Sequence, residues 1–184
     1  MSAENLQIIL RELREHAQAV KQEELDALSE ACLRADRIFV AGAGRSGLMA
    51  RGFANRLLHL GLSVWVVGDI TTPPIQEGDL LIVCSGSGET ASLKANAERA
   101  KNAGATIATL TMAPHASIAQ LADVVVEVPG TSPKSAEGDA VSVQPMGTLF
   151  EQLSGLIFDA VVIDLMERTG ETGSTMFPRH ANLE

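Results

Sequence analysis

Cysteine is scarce in this 184-residue chain, which has only Cys32 and Cys84. The two lie far apart, one in a helical pattern and one at a strand end. That leaves neither a disulfide framework nor a metal-ligand spacing, and it suits a reducing compartment. His16, His59, His115 and His180 are equally scattered, so no metal site is expected. Basic charge is also short. Fourteen Lys and Arg stand against 23 Asp and Glu, for a net charge of −9. No positive field is available to gather a polyanion, and extended nucleic-acid binding is disfavoured. Long apolar runs are missing too: the most apolar stretch, Leu149 to Met166, is interrupted by Glu151, Asp159 and Asp164 and reads as a buried helix, not a membrane span. The first residues lack the basic start, apolar middle and small-residue cleavage site of a secretory signal, so a cytoplasmic location is expected. No linker, internal repeat or low-complexity tract divides residues 1–184, which read as one domain. With 46% hydrophobic residues, the chain has enough apolar surface for one sizeable core.

What is present is an alternation of helix and strand signals. Leu6, Ile9, Leu10 and Leu13 recur at helical spacing. Leu25, Leu28 and Cys32 repeat the pattern after a break near Lys21, so two helices precede the first strand. Five short runs rich in Val, Ile, Leu or Ala then read as strands: 37–41, 63–67, 79–84, 105–110 and 124–128. They show little alternation, as strands covered on both faces should. A helix follows the first run, with Met49, Phe53, Leu57 and Leu60 on one face and Gly61 at its end. Another, marked by Leu93, Ala97 and Ala100, is stopped by Gly104. Strands separated by helices predict a parallel sheet with right-handed crossovers. The expected fold is a three-layer α/β/α sandwich with a five-stranded parallel sheet, flavodoxin-like or Rossmann-like, and ligands beyond the carboxyl ends of the strands. Residues 130–144, rich in Gly, Ser, Pro and charge, are long for a plain connection and are therefore mobile or functional. Lys134 within them reads as a solvated surface lysine. The final helix runs from near Pro145 to about Arg168 with apolar residues on more than one face, which predicts packing against another subunit.

Two glycine-rich turns carry the chemistry. Gly42-Ala43-Gly44-Arg45-Ser46-Gly47 fits G-x-G-x-x-G between a strand and a helix, with Asp69 as a possible ribose partner of a dinucleotide. Against that reading stands the second turn, Ser85-Gly86-Ser87-Gly88-Glu89-Thr90, which follows Asp79 to Cys84. Small hydroxyl and glycine residues at a strand-to-helix turn let backbone N–H groups approach an anion, and the helix adds its positive dipole end. Two such turns at successive strand ends suit one terminal phosphate with a sugar chain beside it. Ser46, Ser85, Ser87 and Thr90 can donate to phosphate oxygens, and Arg45 adds charge. The plainer reading is ordinary glycine turns and Ser/Thr helix caps. Glu151 lies among Met146, Leu149, Phe150 and Leu153. It is either a first-turn glutamate pointing to water or a general base at a cleft.

On Gly42 to Gly47, Ser85 to Thr90, Gln144-Pro145-Met146-Gly147 leading to Glu151, and the closing Arg179-His180-Ala181-Asn182-Leu183-Glu184, the sequence resembles the sugar isomerase (SIS) domain family. Within that family it resembles the enzymes that interconvert D-arabino-hex-3-ulose 6-phosphate and D-fructose 6-phosphate. The resemblance covers essentially the whole chain. It implies a SIS-type sandwich, no cofactor, a homotetramer, a phosphorylated ketohexose as substrate and functional coupling to 3-hexulose-6-phosphate synthase in formaldehyde fixation. It further implies that Glu151 shuttles a proton between carbon 2 and carbon 3. His180 would assist ring opening or protonate oxygen in its own or a neighbouring subunit's site. Gly44, Arg45, Ser46, Ser85, Gly86, Ser87, Gly88, Glu89 and Thr90 would hold the phosphosugar. Two alternatives remain: another phosphosugar isomerase of the family, or a non-catalytic phosphosugar sensor.

Overall fold

Branched and aliphatic residues in runs too short for a helix make the strands of a single sheet. The computed structural model describes residues 3–130 and 142–183, so most of the 130–144 connection, with Lys134, lies outside the described residues. The strands are β1 (Ile38–Gly42), β2 (Val64–Val66), β3 (Leu80–Cys84), β4 (Thr106–Thr111) and β5 (Val124–Glu127). They are all parallel, in the order β2-β1-β3-β4-β5. Gly42 pairs with Cys84 and Cys84 with Leu110, so β1, β3 and β4 end nearly level.

Both faces of the sheet are buried. Ile38, Val40, Leu80, Ile82 and Cys84 face one side and pack with Leu28, Phe53, Phe150 and Phe158. Phe39, Ala41, Leu81 and Val83 face the other, against Leu93, Ala97 and Ile118. Two apolar faces explain why the strands show no polar alternation. Helices α1 (Glu4–Ala17), α2 (Gln22–Arg34), α3 (Gly44–His59) and α6 (Thr148–Thr169) lie on the first side; α4 (Ala91–Asn102) and α5 (Ser117–Leu121) lie on the second. The result is the expected three-layer α/β/α sandwich. α3 and α6 pack closely, with Phe53 stacked on Phe158 at 4.4 Å between ring centroids.

Two elements have no counterpart in the sequence reading. α5 is a single turn, too short to display a 3.6-residue period. The chain end is also ordered into α7 (Gly173–Met176) and a 3₁₀ turn, Phe177–Arg179. Thr172 and Thr175 form a reciprocal capping box there. Arg179 donates from Nη1 to the His59 carbonyl at 2.9 Å and from Nη2 to Glu171 at 3.0 Å. That guanidinium satisfies a terminal carbonyl of α3, and side-chain chemistry of this kind is invisible to a periodicity argument.

Candidate active site

The strand order reverses between β1 and β3: β1 is followed by β2 on one side, and the chain then crosses to β3 on the other. In open α/β sheets this reversal opens a crevice at the carboxyl ends of the strands. β1 leads into α3 and β3 into α4, so both glycine turns lie side by side at that crevice.

The first intrahelical bond of α3 is Gly47 N–H to the Ala43 carbonyl, which leaves the N–H groups of Gly44, Arg45 and Ser46 without a helical acceptor. Neither α3 nor α4 carries an acidic residue in its first turn. Their positive dipole ends are therefore uncompensated, as anion binding requires. At α4 the N-cap is Thr90, whose side chain makes no capping hydrogen bond. Close packing of backbone on backbone sets the turn: a Cβ on Gly47 would sit 2.6 Å from the Gly42 oxygen.

The second turn is held from below. Ser85 N–H donates to Leu110 at 3.0 Å, and Gly88 N–H donates to the Ser85 carbonyl at 3.1 Å. Gly88 takes φ +62°, with Ala116 too close for any side chain. The exposed Ser87 hydroxyl accepts from the Glu89 N–H at 3.3 Å. Glu89 itself plays a different part from the one its place in the motif suggests. Its carboxylate accepts from Ser117 N at 2.7 Å and from Ser117 Oγ at 2.9 Å, pinning the start of α5 to the turn. The Ser117 amide, followed by the Ser117 hydroxyl, holds the Glu89 carboxyl below its ordinary value. Glu89 shapes the turn and does not aim charge at an anion. Asp69, the ribose partner in the dinucleotide reading, is engaged with Arg51 at 2.8 Å.

Over both turns lies the start of α6. Glu151, in its first turn, has a side chain only 15% exposed, and its Oε2 is 3.3 Å from Arg45 Nε. The contact is a charge pair without hydrogen-bond geometry: Oε2 is buried and accepts no hydrogen bond. A buried carboxylate oxygen left without a donor is rare and costly in a folded protein, and such atoms concentrate where chemistry needs them. Arg45 Nη1 donates to Thr148 Oγ1 at 3.2 Å, and Thr148 Oγ1 donates to the Pro145 carbonyl at 2.6 Å. Thr148 was not singled out from the sequence; its only signal was a hydroxyl at the mouth of the final helix. Cys84 lies near Glu151 at the end of β3. Burial is the main cause that pushes its thiol up to about 12, opposed by a hydrogen bond with Ser154 and aided by the Glu151 charge. It is a packed thiol, not a nucleophile.

The site is tied to α1 from the other side. Glu12, buried on that helix, accepts from Val143 N at 3.0 Å and from Gln144 Nε2 at 2.9 Å. Burial pushes the Glu12 carboxyl up, but hydrogen bonds from Gln144, Ser142 and the Val143 amide, with the His16 charge, outweigh it and leave it below its ordinary value. Sequence reasoning passed over Glu12 as well, because an acid within an amphipathic helix ordinarily faces water.

His180 is elsewhere. Its ring stacks on His59 at 5.3 Å and on Phe177 at 6.3 Å. His59 ends α3, while Arg45 begins it. At about 1.5 Å per residue the two ends of this helix are on the order of 20 Å apart. The fold therefore brings together Arg45, Ser46, Ser85, Gly86, Ser87, Gly88, Thr90 and Glu151, but not His180 of the same chain.

The family model of the SIS domain matches residues 33–154, from the end of α2 to the first turns of α6, and so takes in both turns and Glu151. The chain belongs to the SIS domain family. Its SIS relatives include the 3-hexulose-6-phosphate isomerase of Bacillus subtilis, 48% identical over 96% of this chain and 95% of that one. The 3-hexulose-6-phosphate isomerase of Mycobacterium gastri is 44% identical over 98% and 90%. Among solved SIS-like structures, a Methanococcus jannaschii protein superposes with a TM-score of 0.82 at 33% identity, covering 98% of this chain and 99% of that one. Its crystal structure was taken to infer a molecular function of 3-hexulose-6-phosphate isomerase.

Proposed function

We infer that this SIS protein is an isomerase that interconverts D-arabino-hex-3-ulose 6-phosphate and D-fructose 6-phosphate. One observation carries the reading: the buried, donor-free Oε2 of Glu151, next to Arg45, beside two helix N-termini built for a phosphate. Near full-length similarity to enzymes of that activity supports it.

The proposed chemistry needs one base and one anchor. The N–H groups of Gly44 to Ser46, the hydroxyls of Ser46, Ser85, Ser87 and Thr90, and the close-packed Gly86 and Gly88 hold the phosphate, so binding energy at the far end of the sugar orients the reacting carbons. Glu151 takes the proton from carbon 2 of the 3-ulose, giving a 2,3-enediolate. It then returns the proton to carbon 3 while the carbonyl forms at carbon 2. One carboxylate serves both steps, and no other redox partner is needed because the oxidation at one carbon is matched by reduction at its neighbour. The Arg45 guanidinium stabilises the enediolate oxygen. Ser87→Ala is expected to raise KM for fructose 6-phosphate by a factor equivalent to about 1 to 3 kcal/mol, with kcat little changed. Steady-state kinetics read this directly, and an unchanged KM would place Ser87 outside the site.

His180 is assigned to ring opening or proton transfer to oxygen in a neighbouring subunit, because the length of α3 separates it from Glu151 of its own chain. A homotetramer is the assembly we propose. The exposed Leu6 and Leu10 of α1, Leu48 of α3 and Leu156 of α6 support association; they border a groove of 520 Å³. Coupling to a 3-hexulose-6-phosphate synthase follows from the substrate, and two buried free thiols support a reducing cytoplasm.

The deciding assay incubates the protein with fructose 6-phosphate and follows formaldehyde release by the cognate synthase. Activity on arabinose 5-phosphate or sedoheptulose 7-phosphate alone would overturn the substrate. The shared site has its own test: inactive His180→Ala and Glu151→Gln chains, co-expressed, are expected to regain about a quarter of wild-type activity, since one site in four receives both intact residues. No recovery would return both residues to one chain.

A further inference from the structure

A continuous series of polar contacts joins α1 to the proposed base. Glu12 accepts from Val143 N–H and the Gln144 side chain. Those residues begin the turn Pro145-Met146-Gly147, whose Pro145 carbonyl accepts from both the N–H and the hydroxyl of Thr148, at 3.2 and 2.6 Å. Thr148 Oγ1 in turn takes the Arg45 guanidinium, and Arg45 faces Glu151. Glu151 N–H closes the series on the Gly147 carbonyl at 3.0 Å.

The turn needs holding. Met146 adopts φ 60°, a left-handed conformation that a non-glycine residue keeps only when its surroundings impose it. Met146 cannot impose it through packing, since its side chain is 73% exposed. What flanks the strained residue is a buried pair: Glu12 at 9% and Gln144 at 8% exposure. An ionised carboxylate at that depth is tolerated because two donors meet it, and the same donors are what fix the turn.

We propose that Glu12 is a positioning residue for the isomerisation, clamping Val143 and Gln144 so that the turn after them aims Arg45 at Glu151. This rests on the reading of Glu151 as the base. Glu12 touches no substrate; it acts through the turn. Losing the clamp releases Met146 from its strained backbone and lets Thr148 and Arg45 drift. The phosphate turns at the ends of β1 and β3 stay in place.

The expected signature is therefore a split between kcat and KM. Glu12→Ala and Gln144→Ala should each lower kcat by about tenfold while KM for fructose 6-phosphate stays within about twofold. Glu12→Gln is the rescue: its amide oxygen still accepts from Val143, and Gln144 turns its own amide to accept from Gln at 12, so most of kcat should return. Hydrogen exchange of the 142–148 peptide should quicken in the two alanine variants and not in Glu12→Gln. Wild-type kcat in either folded alanine variant overturns the proposal, as does a rise in KM that matches the fall in kcat. If Glu12→Ala does not fold, Gln144→Ala, which removes one hydrogen bond only, decides alone. Failure of the functional reading looks different: the wild-type protein itself would lack isomerase activity, while the exchange measurement would still report the clamp.

Discussion

Glu151→Gln should lower kcat by about two to four orders of magnitude while leaving KM for fructose 6-phosphate close to wild type. The substitution keeps size and shape, so α6 stays packed through Leu149, Phe150 and Leu153, all at most 2% exposed. It removes only the capacity to take a proton from carbon. Because Oε2 accepts no hydrogen bond in the unliganded protein, no structural bond is lost with the charge. Thermal stability should hold or rise, since an isolated buried carboxylate is a cost to folding. The phosphate turns are untouched, which keeps binding. The coupled assay and a thermal melt measure both halves. A kcat near wild type removes Glu151 from the chemistry and with it the observation on which the proposed function stands.

Gly47→Ala is the second large effect, and it acts on backbone alone. The added Cβ would lie 2.6 Å from the Gly42 oxygen and 3.0 Å from its carbonyl carbon. Neither neighbour is the end of a flexible side chain, so β1 and α3 must separate. Overpacking of this kind costs about 1 to 3 kcal/mol. The shift also carries Gly44, Arg45 and Ser46 away from the phosphate, and a displacement of about 1 Å at a catalytic constellation is worth on the order of a hundredfold in rate. Gly52→Ala is the control, on the same helix with open space around it. It should leave activity unchanged and raise stability by about 0.5 to 1 kcal/mol. Urea midpoints and kcat/KM for the two variants separate the local clash from any general effect of a methyl group on α3. Equal behaviour of the two would show that the approach of β1 to α3 does not shape the site.

The five strands were legible because each is a short apolar run between turn residues, and the observed bounds differ from the expected ones by one residue at most ends. Both anion turns were legible for the same local reason: glycine and hydroxyl residues follow a strand and precede a helix. Glu151 stood out as a charge in an apolar helix start. By contrast, Glu89 looked like part of an anion site because the motif contains it, and only the approach of Ser117, 28 positions later, turned its carboxylate away. The chain end looked frayed because nothing in its own residues reports that Arg179 will meet the last carbonyls of α3.

By itself, then, the sequence determined the α/β class, the two helix N-termini that suit a phosphate, and the carboxylate available to move a proton. Each depends on residues within a few positions of one another. Tertiary structure alone decided that β1 and β3 are neighbours, so that two separate turns form one crevice, and that α6 lays Glu151 across it against Arg45. It also decided that Glu12 grips Gln144 across 132 positions and that His180 is held a helix length from Glu151. The physical reason is that pairing and burial are long-range: which strand lies beside which, and which donor meets a buried charge, depend on how the whole core closes.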